Sequence, residues 1–274
     1  MSTNQQRREA AKRKLERQQE RRVQRTKQRK RTALTVAAVV LIVAVGTTLW
    51  ATVGLGAKRS TPQAAPASAT TAPTGPCSFP KAPGGPTTQS VSPPTDANPP
   101  KQGTVAVTMT TNQGVLPITL HRAQAPCTVE SFVHLARANF FNNTPCHRLV
   151  TQGTLKVLQC GDPSGTGTGG PGYTIPDEPP TGLKPGPDGA SIYPAGAVAM
   201  AKASSPNSGG SQFFLVYADS ELPPDYTIFG TVAPAGLTVL RKIAAAGDDG
   251  SMDSTAGGGR PKLATSIQSV TVAP

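Results

Sequence analysis

The sequence predicts a mainly β domain, an eight-stranded antiparallel barrel or sandwich with two short helices, carried behind a long non-globular N-terminal third. Three observations predict it. Short runs of alternating apolar and polar residues recur from Thr104 to Val272, the period-2 signature of half-buried strands. Only two stretches in that region carry helical spacing. The composition also changes abruptly near residues 31, 57 and 102, dividing the chain into 1–31, 32–57, 58–102 and 103–274.

Residues 1–31 hold 13 of the 27 Lys and Arg residues against three Glu, so this tail carries most of the formal net charge of +12 and the remainder is nearly neutral. The tail has no interleaved aromatics and abuts an apolar segment, which argues against nucleic-acid binding. Thr32–Ala57 contains no charged residue and is long enough to cross a hydrocarbon layer of about 30 Å. It is expected to be a single uncleaved transmembrane anchor rather than a signal peptide, whose apolar core is shorter. Because the basic cluster precedes it, the N-terminus is expected in the cytoplasm and everything after Ala57 outside the cell membrane. Residues 58–102, rich in Pro, Ala, Thr, Ser and Gly, are expected to form an extended spacer. Cys77 and Phe79 interrupt it and are candidates for a contact with the folded part, although Phe79 is expected to be a solvated linker residue.

Within the domain, Thr104–Thr110 and Val115–Leu120 flank Asn112-Gln113-Gly114 and form a predicted hairpin. Pro117 inside the second run predicts an edge position or a bulge, since it removes a ladder donor. Pro126 opens a helix in which Val129, Phe132, Val133 and Ala136 share a face. Cys146–Val150 and Lys156–Cys160 make a second strand pair. The Gly165-x-Gly167-x-x-Gly170 that follows matches a dinucleotide fingerprint in form only, because no helix succeeds it and prolines flank it. A Pro- and Gly-rich excursion runs to about Gly196, too long for a simple connection and expected beside a site. Ala197–Asp219 is two apolar strands around the small-residue loop Ser204–Ser211, which suits close approach by an extended peptide. Tyr226–Val232 is a strand, Leu237–Ala246 a short helix, Asp248–Arg260 a loop and Leu263–Val272 the closing strand.

The three histidines, His121, His134 and His147, lie in no nucleophile motif, and no HExxH or CxxC occurs. Hydrolase, zinc and other metal readings are therefore weak, and no cofactor is called for. His147 is expected to be a core histidine satisfied by backbone. What remains is Arg148 on one strand, Gln159 on its partner, and Gln212, Phe213 and Phe214 on a later one.

At these residues the chain resembles the cyclophilins, peptidyl-prolyl cis-trans isomerases built as an eight-stranded barrel capped by two helices. Cys146-His147-Arg148-Leu149 looks like the family's F-H-R-[IV], Gln159-Cys160-Gly161-Asp162 its Q-G-G-D, Gly210-Ser211-Gln212-Phe213-Phe214 its G-S-Q-F-F, and Tyr226-Thr227-Ile228-Phe229-Gly230 is similar to the strand bearing V-F-G. Four motifs in order, over about Gly103 to Val272, make a specific signal; Cys146–Tyr173 and its continuation look especially like actinobacterial members. The resemblance implies that Arg148 is the catalytic arginine and that Gln159 and Gln212 position the substrate. It places Phe214 in the proline pocket with Val157 (Met in the family), Leu222 (often Trp) and Tyr226 (often His), and Ala201 and Lys202 (usually Asn) along the groove. The family's P-G-F is replaced by the longer Thr151–Lys156, where Leu155 is the candidate wall. Partners implied are proline-containing polypeptides and, given Leu222, cyclosporin only weakly. The alternative is a membrane-tethered peptide-binding or chaperone module with little turnover, for which Lys202 and the altered loop speak.

With the domain outside the cytosol, its four cysteines are free to oxidise. Cys146 and Cys160 lie on facing strands of one hairpin, leaving Cys77 to pair with Cys127. Four partly buried thiols are the alternative, since hairpin register is not set by sequence.

Overall fold

The computed structural model describes residues 76–82 and 89–274, so the tail 1–31, the apolar segment 32–57 and the spacer up to residue 75 lie outside the described residues. Among the described residues no helix is long and apolar enough to cross a membrane.

Alternation dictates the sheet. In β1 (Thr104–Thr111) Val105, Val107 and Met109 face inward, and in β2 (Gly114–His121) Leu116, Ile118 and Leu120 do. Helix α1 (Pro126–Arg137) follows, then β3 (Thr144–Pro145), β4 (Arg148–Val150), β5 (Val157–Cys160), β6 (Lys184–Pro185), β7 (Ser191–Tyr193), β8 (Ala197–Met200), β9 (Phe213–Val216), β10 (Ser220–Leu222), β11 (Ile228–Val232), helix α2 (Pro234–Ala245) and β12 (Ser266–Val272). Nine strands form one curled antiparallel sheet in the order β3-β12-β1-β2-β11-β8-β9-β5-β4, and β10-β7-β6 form a small second sheet. The two edge strands of the large sheet, β3 and β4, are separated in the chain only by Cys146 and His147. The architecture is therefore a β half-barrel with two helices.

Strand alternation makes two apolar layers. Inside lies the main core, where Phe132 of α1 stacks on Phe141 with ring centroids 4.9 Å apart and meets Phe213 and Phe229 at 5.4 and 5.3 Å. On the other face Val150, Val157, Ala197, Ala199, Phe214 and Val216 form a second cluster. Each aromatic pair adds about 0.5–1.5 kcal/mol to its area burial.

Helix α1 has no capping side chain at Ala125. The Glu178 carboxylate replaces it, accepting from the backbone N–H groups of Cys127 and Thr128 at 3.0 and 2.9 Å and from the Thr128 hydroxyl at 2.7 Å. An anion at a helix N-terminus satisfies orphan donors and complements the macrodipole. Helix α2 begins at Pro234, three residues before the sequence reading placed it, with the proline in the first turn where its missing N–H costs nothing. Gly236 is where α2 crosses β2: a Cβ there would lie 2.7 Å from Val232 Cγ1 and 3.2 Å from the Leu116 Cα.

Three further expectations need correction. Pro117 is in an interior strand, not at an edge: β11 pairs with β2 only through Val232–Ile118, and the Pro117 carbonyl beyond that pair accepts from Ala233 N–H at 2.8 Å. The proline thus falls where the β11 ladder has ended. Phe79 is buried rather than solvated, with its ring edge-on to Tyr173 at 6.0 Å. Residues 76–82 form a strap, tied by Cys77–Cys127, by Thr174 N–H to Pro80 O at 2.9 Å and by Ala82 N–H to Gly172 O at 2.9 Å. Finally, the run expected as one strand from Cys146 to Val150 is a strand only from Arg148, and β3, β6, β7 and β10 add four very short strands.

Candidate active site

Pairing brings the polar candidates into line. Arg148 of β4 is opposite Gln159 of β5, which is opposite Phe214 of β9, and that in turn faces Ala199 of β8. Period-2 alternation then puts Arg148, Gln159 and Phe214 on one face, with Val157 and Val150 two residues away. That face opens into a cavity of about 450 Å³ lined by Arg148, Gln159, Leu155, Val157, Ala201, Lys202, Phe214, Leu222 and Tyr226. Gln212 stands behind it.

The polar wall is a directional chain. Gly169 O can only accept, so Gln212 turns its amide NH₂ toward it at 2.9 Å. The Gln212 Oε1 left over accepts from Gln159 Nε2 at 2.9 Å, and Gln159 Oε1 accepts from Arg148 Nη1 at 2.9 Å. The glycine-rich stretch after β5 thus supplies the terminal acceptor. It is held by buried Asp162, whose Oδ1 accepts from the Ser164 N–H and hydroxyl at 2.7 Å and whose Oδ2 accepts from Gly167 and Gly169 N–H at 2.7 and 3.2 Å. Burial pushes the Asp162 carboxyl upward, but these hydrogen bonds together hold it below its ordinary value.

The apolar wall is Phe214, Val157, Leu155 and Leu222, closed by Tyr226, whose ring meets Phe214 edge-on at 5.7 Å. Tyr226 is set by Tyr193, whose hydroxyl lies 3.1 Å from Tyr226 N, Tyr226 O and Pro223 O. Burial raises the Tyr193 phenol to about 12, so it stays a neutral hydrogen-bonding group. Lys202 pairs with Asp177 at 2.9 Å and Asp225 at 3.4 Å. The hydrogen bond to Asp177 is the main cause that raises its pKa.

Sequence reasoning missed the other lining residues: His147, Thr166, Gly167, Met252, Thr255 and Ala256. His147 is buried, yet among the described residues neither ring nitrogen has a hydrogen-bond partner, against the expected backbone contact. Burial lowers its pKa, Arg148 and Arg260 push the same way, and Asp162 opposes them. Arg148 is also lowered by burial. Two disulfides use all four cysteines: Cys146–Cys160, with Cα atoms 4.0 Å apart beside the Arg148–Gln159 pair, and Cys77–Cys127, with Cα atoms 5.2 Å apart. Among the described residues no cluster of His, Cys, Asp or Glu is arranged to hold a metal.

A curled antiparallel half-barrel with two helices, carrying an arginine and two glutamines beside an apolar cavity, defines a class: the cyclophilin fold. The profile of the family described as cyclophilin type peptidyl-prolyl cis-trans isomerase/CLD matches residues 106–272, and the chain belongs to that family. It is 53% identical over 156 residues to a probable peptidyl-prolyl cis-trans isomerase B of Mycobacterium leprae, covering 54% of this chain and 52% of the relative. Against the protein of the same description from Mycobacterium tuberculosis it is 51% identical over 170 residues, covering 61% and 54%. The chain thus matches about half the length of these curated relatives. A crystal structure of a cyclophilin type peptidyl-prolyl cis-trans isomerase from Cryptosporidium parvum superposes with a TM-score of 0.51 at 28% identity, covering 63% of this chain and 99% of that one.

Proposed function

We propose that this protein is a peptidyl-prolyl cis-trans isomerase acting on extracytoplasmic polypeptides, in which Arg148 assists twisting of the X-Pro amide against an apolar pocket. The observation that carries the reading is the chain Arg148–Gln159–Gln212–Gly169 O set against Phe214, Val157, Leu155 and Leu222.

The amide barrier is about 18–20 kcal/mol because rotation breaks the resonance of the C–N bond. No proton has to leave the substrate. In the twisted amide the nitrogen lone pair is localised, and a guanidinium N–H donated to it favours that state over either planar isomer. Bringing a process of ~10–100 s to milliseconds takes about four to five decades, or ~5.5–7 kcal/mol. A hydrogen bond from a charged group supplies ~1.5–3 kcal/mol of this. The less polar twisted amide also prefers an apolar wall to water, and the remainder is assigned to that wall and to positioning by Gln159 and Gln212. Ala201 and Lys202 flank the groove along which the peptide lies.

Placement outside the cytosol rests on the order of the basic tail and the uncharged Thr32–Ala57. Full use of the cysteines in disulfides supports it, because such bonds persist in oxidising compartments. The anchor would hold the domain at the cell membrane. The compact unit Thr70–Pro274 should accelerate prolyl exchange in a short X-Pro peptide, and Arg148→Ala should remove most of that rate with the circular dichroism unchanged. Equal rates for the two proteins would refute the mechanism. Peptide binding without exchange in the wild type would instead select the tethered binding module.

A further inference from the structure

We propose that the loop between α2 and β12, residues 249–259, is a positioning element for Arg148, whose backbone carbonyls at Ala256 and Gly257 aim the guanidinium at the cavity. The proposal rests on the functional reading above. It concerns a segment whose sequence predicts only a connection.

The guanidinium is a planar fork with five N–H groups in fixed directions. In this structure Nε donates to Gly257 O at 3.0 Å, Nη2 donates to Ala256 O, and Nη1 donates to Gln159 Oε1 at 2.9 Å. Nε and Nη2 share one edge of the fork, so the loop holds that whole edge and Gln159 fixes the third nitrogen. Among the described residues the other two N–H groups, one on each Nη, have no partner, and the three hydrogen bonds fix the plane of the fork. A long side chain otherwise loses much rotamer freedom when it is ordered in a transition state. Here that ordering is built into the free protein.

The loop is shaped for this task. Two successive residues, Gly257 and Gly258, have φ of +80° and +71°, the left-handed region that disfavours a Cβ. At Gly258 a Cβ would also lie 2.1 Å from Leu149 O, because the backbone passes directly over β4. Gly259 then pairs with Leu149, N–H to O at 2.7 and 3.0 Å, one residue from the arginine it serves. Two exposed aspartates brace the bend. Asp253 Oδ1 accepts from Gly258 N–H at 3.0 Å, and Asp249 Oδ1 accepts from Ser251 and Arg260 N–H at 3.0 and 2.8 Å. Met252 and Ala256 of the same loop line the cavity beside Arg148.

The test uses Asp253, which touches neither Arg148 nor the cavity, in the full chain kept in detergent. Asp253→Ala removes the acceptor for Gly258 N–H, whereas Asp253→Asn retains one. Arg148 Hε, bonded to Gly257 O, should exchange slowly with water in the ¹⁵N-resolved NMR spectrum of the wild type and of Asp253→Asn, and at least tenfold faster in Asp253→Ala, with Arg148→Lys identifying the signal. kcat/KM for prolyl exchange should fall about tenfold in Asp253→Ala through kcat, with KM little changed, and recover in Asp253→Asn. Equal Hε exchange in the wild type and the alanine variant would overturn the proposal, as would a loss of kcat/KM that the asparagine variant fails to restore. If the isomerase reading itself fails, Arg148→Ala has the wild-type rate while the Hε comparison still reports whether the loop holds the guanidinium.

Discussion

Gln159→Glu isolates the polar chain with almost no change in shape. In the native protein Gln159 accepts from Arg148 Nη1 and donates to Gln212 Oε1, both at 2.9 Å. A carboxylate still accepts from Arg148, and more strongly, since both partners are then charged. It cannot donate to Gln212. Two penalties follow. In the proposed mechanism the new carboxylate compensates the guanidinium charge, so its hydrogen bond to the twisted amide would drop from the ~1.5–3 kcal/mol of a charged donor toward the ~0.5–1.5 kcal/mol of a neutral one, a loss of about 1–1.5 kcal/mol. Gln212 must also turn its NH₂ toward the introduced carboxylate, which leaves its Oε1 against Gly169 O, or stay and oppose a carboxylate oxygen; either costs about 1 kcal/mol or more. Together these predict a 30- to 100-fold fall in kcat/KM, about 2–2.7 kcal/mol, in a protease-coupled or NMR exchange assay on an X-Pro peptide. Gln159→Leu leaves the guanidinium charge uncompensated but removes the donor to Gln212 Oε1, whose NH₂ keeps Gly169 O, and should lose less. Activity of the glutamate variant within threefold of wild type would refute the assigned direction of the chain.

Other outcomes follow from the same geometry. Replacing Cys77 and Cys127 by Ala opens a link spanning 50 residues and should lower the unfolding free energy by ~4 kcal/mol in the chain-entropy model, read from urea midpoints, while replacing Cys146 and Cys160, separated by 14 residues, should cost ~3 kcal/mol; unchanged midpoints would contradict both. His147 has a folded-state pKa below its ordinary value of 6.5, so the unfolded chain binds the proton more readily and stability should fall as pH drops through 6.5 toward the folded pKa. His147→Phe should flatten the difference between urea midpoints at pH 7.5 and 5.5, and an unchanged difference would remove His147 as its source. Leu222 offers no side-chain N–H to a cyclosporin-type ligand, so Leu222→Trp should tighten calorimetric binding by ~0.5–1.5 kcal/mol; no gain would displace Leu222 from the groove.

What could be read from the chain follows what side chains advertise. The seven strands of four or more residues and both helices carry periodicity, β4 lies within the longer run Cys146–Val150 read as a strand, and Phe213 and Phe214 divide between the two apolar layers by alternation alone. Strands of two or three residues such as Lys184–Pro185 and Ser220–Leu222 carry no period and stayed hidden. Pro117 was misplaced because a residue directs its one N–H position to one side of a strand, here toward β11, and the β11 ladder ends at Val232–Ile118 before that donor is needed. Phe79 lies in a proline-rich setting whose composition says spacer, and only its long-range partner Tyr173 reveals that it is buried. At the site, Arg148, Gln159 and Gln212 were visible as residue types in sequence motifs. Their acceptors at Gly169, Ala256 and Gly257 are main-chain oxygens, which every residue has and no motif marks. His147 shows the opposite failure, a recognisable residue whose missing partners are a property of packing.

The order of attachments along the strap has a mechanical meaning. Coming from the N-terminal side, the described chain first meets the Cys77–Cys127 bond, and only afterwards the Phe79 ring and the pairing of Pro80 and Ala82 with residues 172–174. A pull arriving from that side is taken by a covalent bond into the first turn of α1 before it can peel the weaker contacts. Those contacts back the segment that leads from Gly169, the acceptor at the end of the glutamine chain, so the bond works as strain relief does on a cable. If residues 1–75 tether the domain as proposed, a pull on them would load helix α1 and the main core behind it, and the cavity beside Arg148 would keep its shape.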